Sequence, residues 1–183
     1  MKTSYVFLAK GFEEIEALAV INIMRRAGMS VETVSISNHD EVEGAHGIEV
    51  ITDEVLTKLE LKDADWLILP GGMPGATNLF ECGALRDCLR EHHAEGGHIA
   101  AICASPSVVL GKIKLLEGRR ATCYPGMEAG MIGAQVVDDL VVVDGNITTG
   151  KGPAAAAKFA LSLVAQSMGQ DVADQIAKDM LFE

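Results

Sequence analysis

The 183-residue sequence predicts one α/β sandwich domain with a mostly parallel sheet, helices on both faces and a β-hairpin added late. Three observations predict it. Strand-like and helix-like stretches alternate along the chain. The strand candidates read as continuous apolar runs, the pattern of strands buried on both faces rather than on one. Near the end, Asp144-Gly145-Asn146 separates the runs LVVV and NITT, which is a hairpin signal.

The elements follow in order. Tyr5 to Ala9 (YVFLA) is a short apolar strand. Glu13 to Ala27 carries Ile15, Leu18, Ala19, Ile21 and Met24 at helical spacing, with Gly28 placed to end the helix. Arg25 and Arg26 fall in its last turn, where the helix dipole favours cations. Val31 to Ile36 is the second strand and Ile48 to Thr52 a short third one. Asp65 to Leu69 is a further strand, closed by Pro70-Gly71-Gly72. A helix spans Gly83 to Glu95, then a strand His98 to Ile102, then a helix from Ser105 to Gly111. Residues 134–149 hold three β runs, AQVV, LVVV and NITT. Gly152-Pro153 opens an alanine-rich helix to Met168, and a last helix covers Asp171 to Leu181. No repeat, linker or low-complexity block interrupts residues 1–183, so one domain is expected.

Composition narrows the function classes. Hydrophobic residues make up 49% and charged residues 22%, ordinary values for a globular chain. The net charge is −11 and the basic patches are short (Arg25-Arg26, Lys112 to Lys114, Arg119-Arg120), which argues against a nucleic-acid partner. No apolar run has the length of a membrane span, and the first residues lack the apolar length and cleavage site of a signal peptide. Cys82, Cys88, Cys103 and Cys123 form no CxxC pair, so reduced thiols in a cytoplasm are expected. The histidines lack metal-ligand spacing, and no metal or cofactor is expected. His92-His93 reads as a solvated helix end.

In a doubly wound sheet, functional groups gather beyond the carboxyl ends of the strands. Three features land there: KGFEEIE of residues 10–16, the Pro70-Gly71-Gly72 turn, and Cys103. Cys103 on its own reads either as a packed core thiol, a common fate of free cysteine, or as a nucleophile. Its flanks Ala101 and Ser105 take the small-residue places of a nucleophile elbow. Such an elbow sets the sulfur at the start of the Ser105 helix, where backbone N–H groups favour a thiolate. The N–H of Ala104 and one from Gly71-Gly72 complete an oxyanion hole. Glu13, Glu14 and Glu16 suit a helix first turn, but Glu16 is spaced to reach back over the crevice. A carboxyl beside a thiolate resists ionising and serves as a proton donor and shuttle. GNITTGKG of residues 145–152 nearly matches a phosphate-binding loop, yet lacks the final hydroxyl and reads as a strand.

FLAKGFEEIEA followed by NIMRRAG, then LILPGGMPGATNL, IAAICASPSVVL and TTGKGPAAAAKFAL, in this order, resemble the DJ-one/ThiJ/PfpI superfamily, and within it the DJ-one subgroup of small dimeric proteins. The resemblance runs nearly end to end and implies a flavodoxin-like α/β sandwich and a homodimer. It implies that Cys103 is the reactive, oxidation-prone cysteine, that Glu16 hydrogen-bonds it, and that Gly72 and Ala104 supply backbone donors. Ala104 stands where the protease-like branch has histidine, so protease activity is not implied. Tyr124-Pro125 replaces a His-Pro step of some relatives, and His46 stands where relatives carry an arginine near the pocket. Tyr124, His46 and Gly71 are therefore further pocket candidates. The activity implied is cofactor-independent conversion of 2-oxoaldehydes, of glyoxalase III or deglycase type. An oxidative-stress sensor or redox-regulated chaperone is the alternative. No residue supports the thiamine-related role carried in the superfamily's name.

Overall fold

The structure is a computed structural model that describes residues 2–59, 61 and 63–182. A seven-stranded sheet forms its centre. The strands are β1 (Thr3–Leu8), β2 (Ser30–Ser35), β5 (Glu54–Val55), β6 (Trp66–Leu69), β7 (His98–Ile102), β10 (Val141–Asp144) and β11 (Ile147–Gly150), in the order β10-β11-β7-β6-β1-β2-β5. All neighbours are parallel except the β10–β11 hairpin. Two small ribbons stand apart, β3 (Glu41–Glu43) with β4 (Glu49–Ile51), and β8 (Arg120–Ala121) with β9 (Gln135–Val136).

The apolar runs are buried on both faces because consecutive side chains enter different cores. Val6, Leu8, Trp66, Ile68, Ala100 and Ile102 pack with α1 (Glu14–Arg26), α4 (Ala156–Met168) and α5 (Gln170–Asp179). Tyr5, Phe7, Leu67, Leu69, Ile99 and Ala101 pack with Leu79 of α2 (Gly75–Glu81) and Leu85 and Leu89 of α3 (Gly83–Ala94). Helices on both faces leave the carboxyl edge as the exposed functional rim. After β5 the chain returns to the other side of β1, so the order reverses beside β1 and β6. Gly28, at φ +80°, ends α1 in the left-handed conformation that favours glycine.

Several expectations need correction. The Ile48–Thr52 run pairs with Glu41–Glu43 instead of joining the sheet, and AQVV contributes only Gln135–Val136 to a separate ribbon. Residues 106–111 wind with i→i+5 pitch rather than as an α-helix. The His92-His93 end is half-buried: His92 Nε2 meets the His98 carbonyl at 3.1 Å, and burial lowers the pKa of both histidines. Of the apolar residues of α1, Met24 is wholly buried while Ile15 is exposed. Among the described residues no helix is long and apolar enough to cross a membrane.

Candidate active site

Cys103 follows the last residue of β7 and takes φ +64°. A non-glycine residue there costs about 1–3 kcal/mol and persists only where its surroundings fix it. Here the fixing groups are all on the backbone or small. Cys103 N–H donates to the Gly150 carbonyl at 2.9 Å, and Tyr124 N–H donates to the Cys103 carbonyl at 2.8 Å. Ser105 Oγ–H donates to the Pro70 carbonyl at 2.5 Å, which ties the elbow to the glycine turn. Val108 N–H donates to the Ala104 carbonyl at 2.8 Å and starts the next helical segment. The cysteine is buried, 8% exposed, yet it is a strained elbow and not an ordinary packed thiol.

Two further turns meet it. Gly71 sits so close that a Cβ would lie 2.6 Å from Cys103 Cβ and 2.7 Å from Glu16 Oε2. Gly72, at φ +88°, leaves no room either, since a Cβ would lie 2.5 Å from the backbone of Gly11 and Glu13. This close approach lets Gly71 N–H donate to Glu16 Oε2 at 2.7 Å. Glu16 is brought there by the start of α1. The Glu13 carboxylate accepts from Glu16 N–H at 2.7 Å, and Glu13 N–H donates to the Gly71 carbonyl at 3.0 Å. The other Glu16 oxygen, Oε1, is buried without a hydrogen-bond partner, and the carboxyl interacts with the Cys103 thiol.

The electrostatics follow from this packing. Burial raises the Glu16 pKa to about 7 against the pull of Cys103 and Gly71 N–H. Burial and the adjacent carboxylate push the Cys103 thiol up to about 12, while the N–H groups of Gly72 and Ala104 pull it down. The two groups therefore titrate as one unit. One proton leaves near pH 7, and the second is held because two like charges cannot both sit so close. Between those limits the pair carries a single negative charge while the other group keeps its proton. This differs from the sequence expectation of a thiolate favoured by a helix start: the turn directly after Cys103 contributes the Ala104 N–H, and burial outweighs it.

The structure thus brings Cys103, Glu16, Gly71, Gly72 and Ala104 into one place. It puts His46 elsewhere: its Nδ1 and backbone N–H both meet Glu14, each at 2.7 Å, and its ring is 70% exposed. Tyr124 touches the elbow through its backbone, and its half-exposed ring lies against Gly152. Glu13, Glu14 and His46 hold ligand-type atoms within 4.8 Å of one another. Glu14 is saturated by His46 and one Glu13 oxygen by Glu16 N–H, so the trio reads as a hydrogen-bonded cluster. Sequence reasoning missed the Ser105 hydroxyl, taken only as a small residue, and the Glu14–His46 pair, whose 32-residue separation leaves no local pattern. Cys123 is a packed thiol, pushed up to about 11 by burial.

A family model described as the DJ-1/PfpI family matches residues 2–166. The chain is 34% identical over 98% of its length to "Protein DJ-1 homolog A" of Arabidopsis thaliana, of which it spans 46%, about half. It is 33% identical to "Glutathione-independent glyoxalase DJR-1.2" of Caenorhabditis elegans, over 92% of this chain and 89% of that one. The solved structure described as "Toxoplasma gondii DJ-1, oxidized" superimposes with a TM-score of 0.96 at 36% identity, over 100% of this chain and 99% of that one.

Proposed function

This chain belongs to the DJ-1/PfpI family, and on that premise we propose that it converts reactive 2-oxoaldehydes to 2-hydroxy acids without a cofactor. One observation carries the reading: a strained, buried cysteine interacts with a buried glutamate, with the Gly72 and Ala104 N–H groups beside the sulfur, and in this reading the pair shares one proton. The name of the nematode relative supports it.

The chemistry balances within the substrate. Cys103 sulfur attacks the aldehyde carbon, a C–S bond forms, and the carbonyl π pair moves onto oxygen, where backbone N–H donors stabilise it. Proton transfer from Glu16 gives a hemithioacetal. The Glu16 carboxylate then takes the proton from the former aldehyde carbon and returns it to the neighbouring carbon, while the hemithioacetal hydroxyl proton passes to the neighbouring oxygen. One carbon is oxidised, its neighbour is reduced, and a 2-hydroxy thioester results. Water cleaves the C–S bond, releasing the hydroxy acid and the thiol. The same attack on a glycated side chain is the deglycase version.

The test is lactate formation from methylglyoxal by wild type and Cys103→Ala. Turnover by wild type that the variant lacks is expected. Equal background from both favours the second reading, a redox sensor or chaperone whose cysteine is oxidised. The oxidised state named for the Toxoplasma relative is the observation on that side. We also propose that the working form is a homodimer, because Ile15 and Leu18 of α1 and Ile48 and Ile51 of the neighbouring hairpin segment are exposed.

A further inference from the structure

Glu14 is a buried carboxylate, 4% exposed, and both of its oxygens serve one residue. Oε1 accepts from His46 N–H and Oε2 from His46 Nδ1–H. The turn that carries His46 is shaped around this carboxylate: a Cβ on Gly44 would collide with Glu14 Oε1. Backbone bonds spread the contact. Ala45 N–H donates to the Phe12 carbonyl at 2.8 Å, and Gly11 N–H donates to the Glu43 carbonyl at 2.8 Å. The hairpin made by β3 and β4 is therefore fastened to residues 11–14. That is the segment whose Glu13 fixes both Gly71 and the backbone of Glu16.

We propose that Glu14 and His46 form a proton-controlled latch that sets how firmly the 44–47 turn is held on the segment building the Glu16–Cys103 site. His46 is a positioning residue in this scheme, not a catalytic one. The charges around the imidazole are one-sided. From α1 and its cap come Glu14 and Glu13. On the hairpin, Glu43 and Glu49 form the cross-strand pair beside the turn, and Lys10 Nζ holds Glu43 at 3.0 Å. No other cation answers Glu14 among the described residues, so the imidazolium is the charge that matches it.

The direction with pH follows. Glu14 raises the His46 pKa above its ordinary 6.5; burial pushes the Glu14 carboxyl up, but its hydrogen bonds from His46 outweigh this and hold it below its ordinary 4.5. A raised histidine contributes fully below its unfolded value and loses that contribution as pH rises through its folded value. A lowered carboxyl contributes fully above its unfolded value. The latch is thus complete between about pH 4.5 and 6.5 and weakens as His46 gives up its proton. A neutral Nδ1–H still donates, but to a carboxylate without a matching charge.

Hydrogen–deuterium exchange of a peptide spanning residues 42–50, corrected for the intrinsic pH dependence of exchange, reads the latch directly. The amides of Gly44, Ala45 and His46 are all hydrogen-bonded across or within the turn. Wild type is expected to lose roughly threefold in protection between pH 6 and 8.5, the scale of an exposed pair, with no matching change in a peptide from α4. His46→Asn keeps a neutral donor and should show lower protection with no pH step. His46→Arg keeps a permanent charge and should also show no step. A flat profile in wild type, or the same step in His46→Asn, overturns the latch. The readout needs no turnover, so its failure is separate from failure of the proposed reaction.

Discussion

Glu16→Gln isolates the shared proton of the active-site pair. In wild type the first ionisation of the pair falls near pH 7, so about half of the pairs carry the charge at neutral pH. The amide removes the partner that ionises with the thiol and also the like charge that opposes it. The Gly72 and Ala104 donors remain, and so does burial. The lone thiol then ionises in one step, at or above its ordinary value of 9.0 and below about 12. At pH 7 a thiol of pKa 9 is ionised to roughly one part in a hundred, and one of higher pKa to less, so alkylation of the variant at pH 7 should be slow and should rise in a single step only at or above pH 9. Turnover should fall further, by roughly 10²–10⁴-fold, because an amide cannot move the proton between carbons. Stability responds with the opposite sign. A carboxyl raised from 4.5 to about 7 binds its proton more tightly when folded, so wild type loses stability as pH rises through that window, by up to about 3 kcal/mol. Glu16→Gln should therefore gain in melting temperature over wild type at pH 8 and not at pH 4. The assays are the iodoacetamide rate on the Cys103 peptide from pH 5 to 11, lactate formation, and thermal melts, with Glu13→Gln as the comparison. A near-neutral step in the Glu16→Gln alkylation profile would assign that ionisation to another group and sink the shared-proton scheme.

Three other outcomes are expected. Gly71→Ala places a methyl 2.6 Å from Cys103 Cβ and 2.7 Å from Glu16 Oε2; denaturant melts should show a loss of about 1–3 kcal/mol, and turnover should fall by a factor on the order of 10². Wild-type turnover in that variant would mean the close approach is dispensable. Mild peroxide should take Cys103 to sulfenic and then sulfinic acid ahead of Cys82, Cys88 and Cys123, read by peptide mass spectrometry; even oxidation of all four would remove its special status. Light scattering at micromolar concentration should give twice the chain mass for wild type and the chain mass for Ile51→Lys, which charges an exposed apolar position; a wild-type monomer would refute the dimer.

Much of this arrangement is legible in the sequence because it is carried by local chemistry. The strands of the main sheet announce themselves as apolar runs, since burial on both faces leaves no polar alternation to confuse the period. The elbow is visible because a strand that turns sharply into a helix admits only small neighbours, and Ala101, Ala104 and Ser105 supply them. What stayed hidden depends on partners distant along the chain. The Ile48–Thr52 run has the look of a sheet strand, yet Gly44 and His46 engage Glu14 and commit it to a hairpin with Glu41–Glu43. The helix at Gly75–Glu81 begins on a glycine after Pro74 and has too few turns to show a periodic stripe. The sign of the cysteine's pKa was hidden for the same reason. A helix start is a sequence feature, but the burial that outweighs it is a property of the assembled site.

The active site also accounts for where this fold accepts unfavourable local states. Cys103 sits in a backbone region that disfavours side chains, and Glu16 has an unpartnered oxygen in a buried setting. Each state would relax if its support were soft: the elbow by rotating to negative φ, the carboxyl by swinging to solvent. Neither can, because the supporting main-chain groups lie at the ends of central strands: the Gly150 carbonyl accepts from Cys103 N–H, the Pro70 carbonyl from Ser105 Oγ–H, and Gly71 N–H donates to the Glu16 carboxyl. Strands β6, β7 and β11 are buried on both sides, so their ends move least. In the proposed reaction the same rigidity explains why Glu16, the acid–base group, lies on α1 rather than on a loop. A proton shared between carboxyl and thiol requires the separation to hold while charge moves from one to the other, and only a capped helix docked on the sheet holds it. The strain at Cys103 and the buried charge at Glu16 are thus a single device. The first aims the sulfur at the backbone donors, and the second keeps a proton where the sulfur needs to lose one.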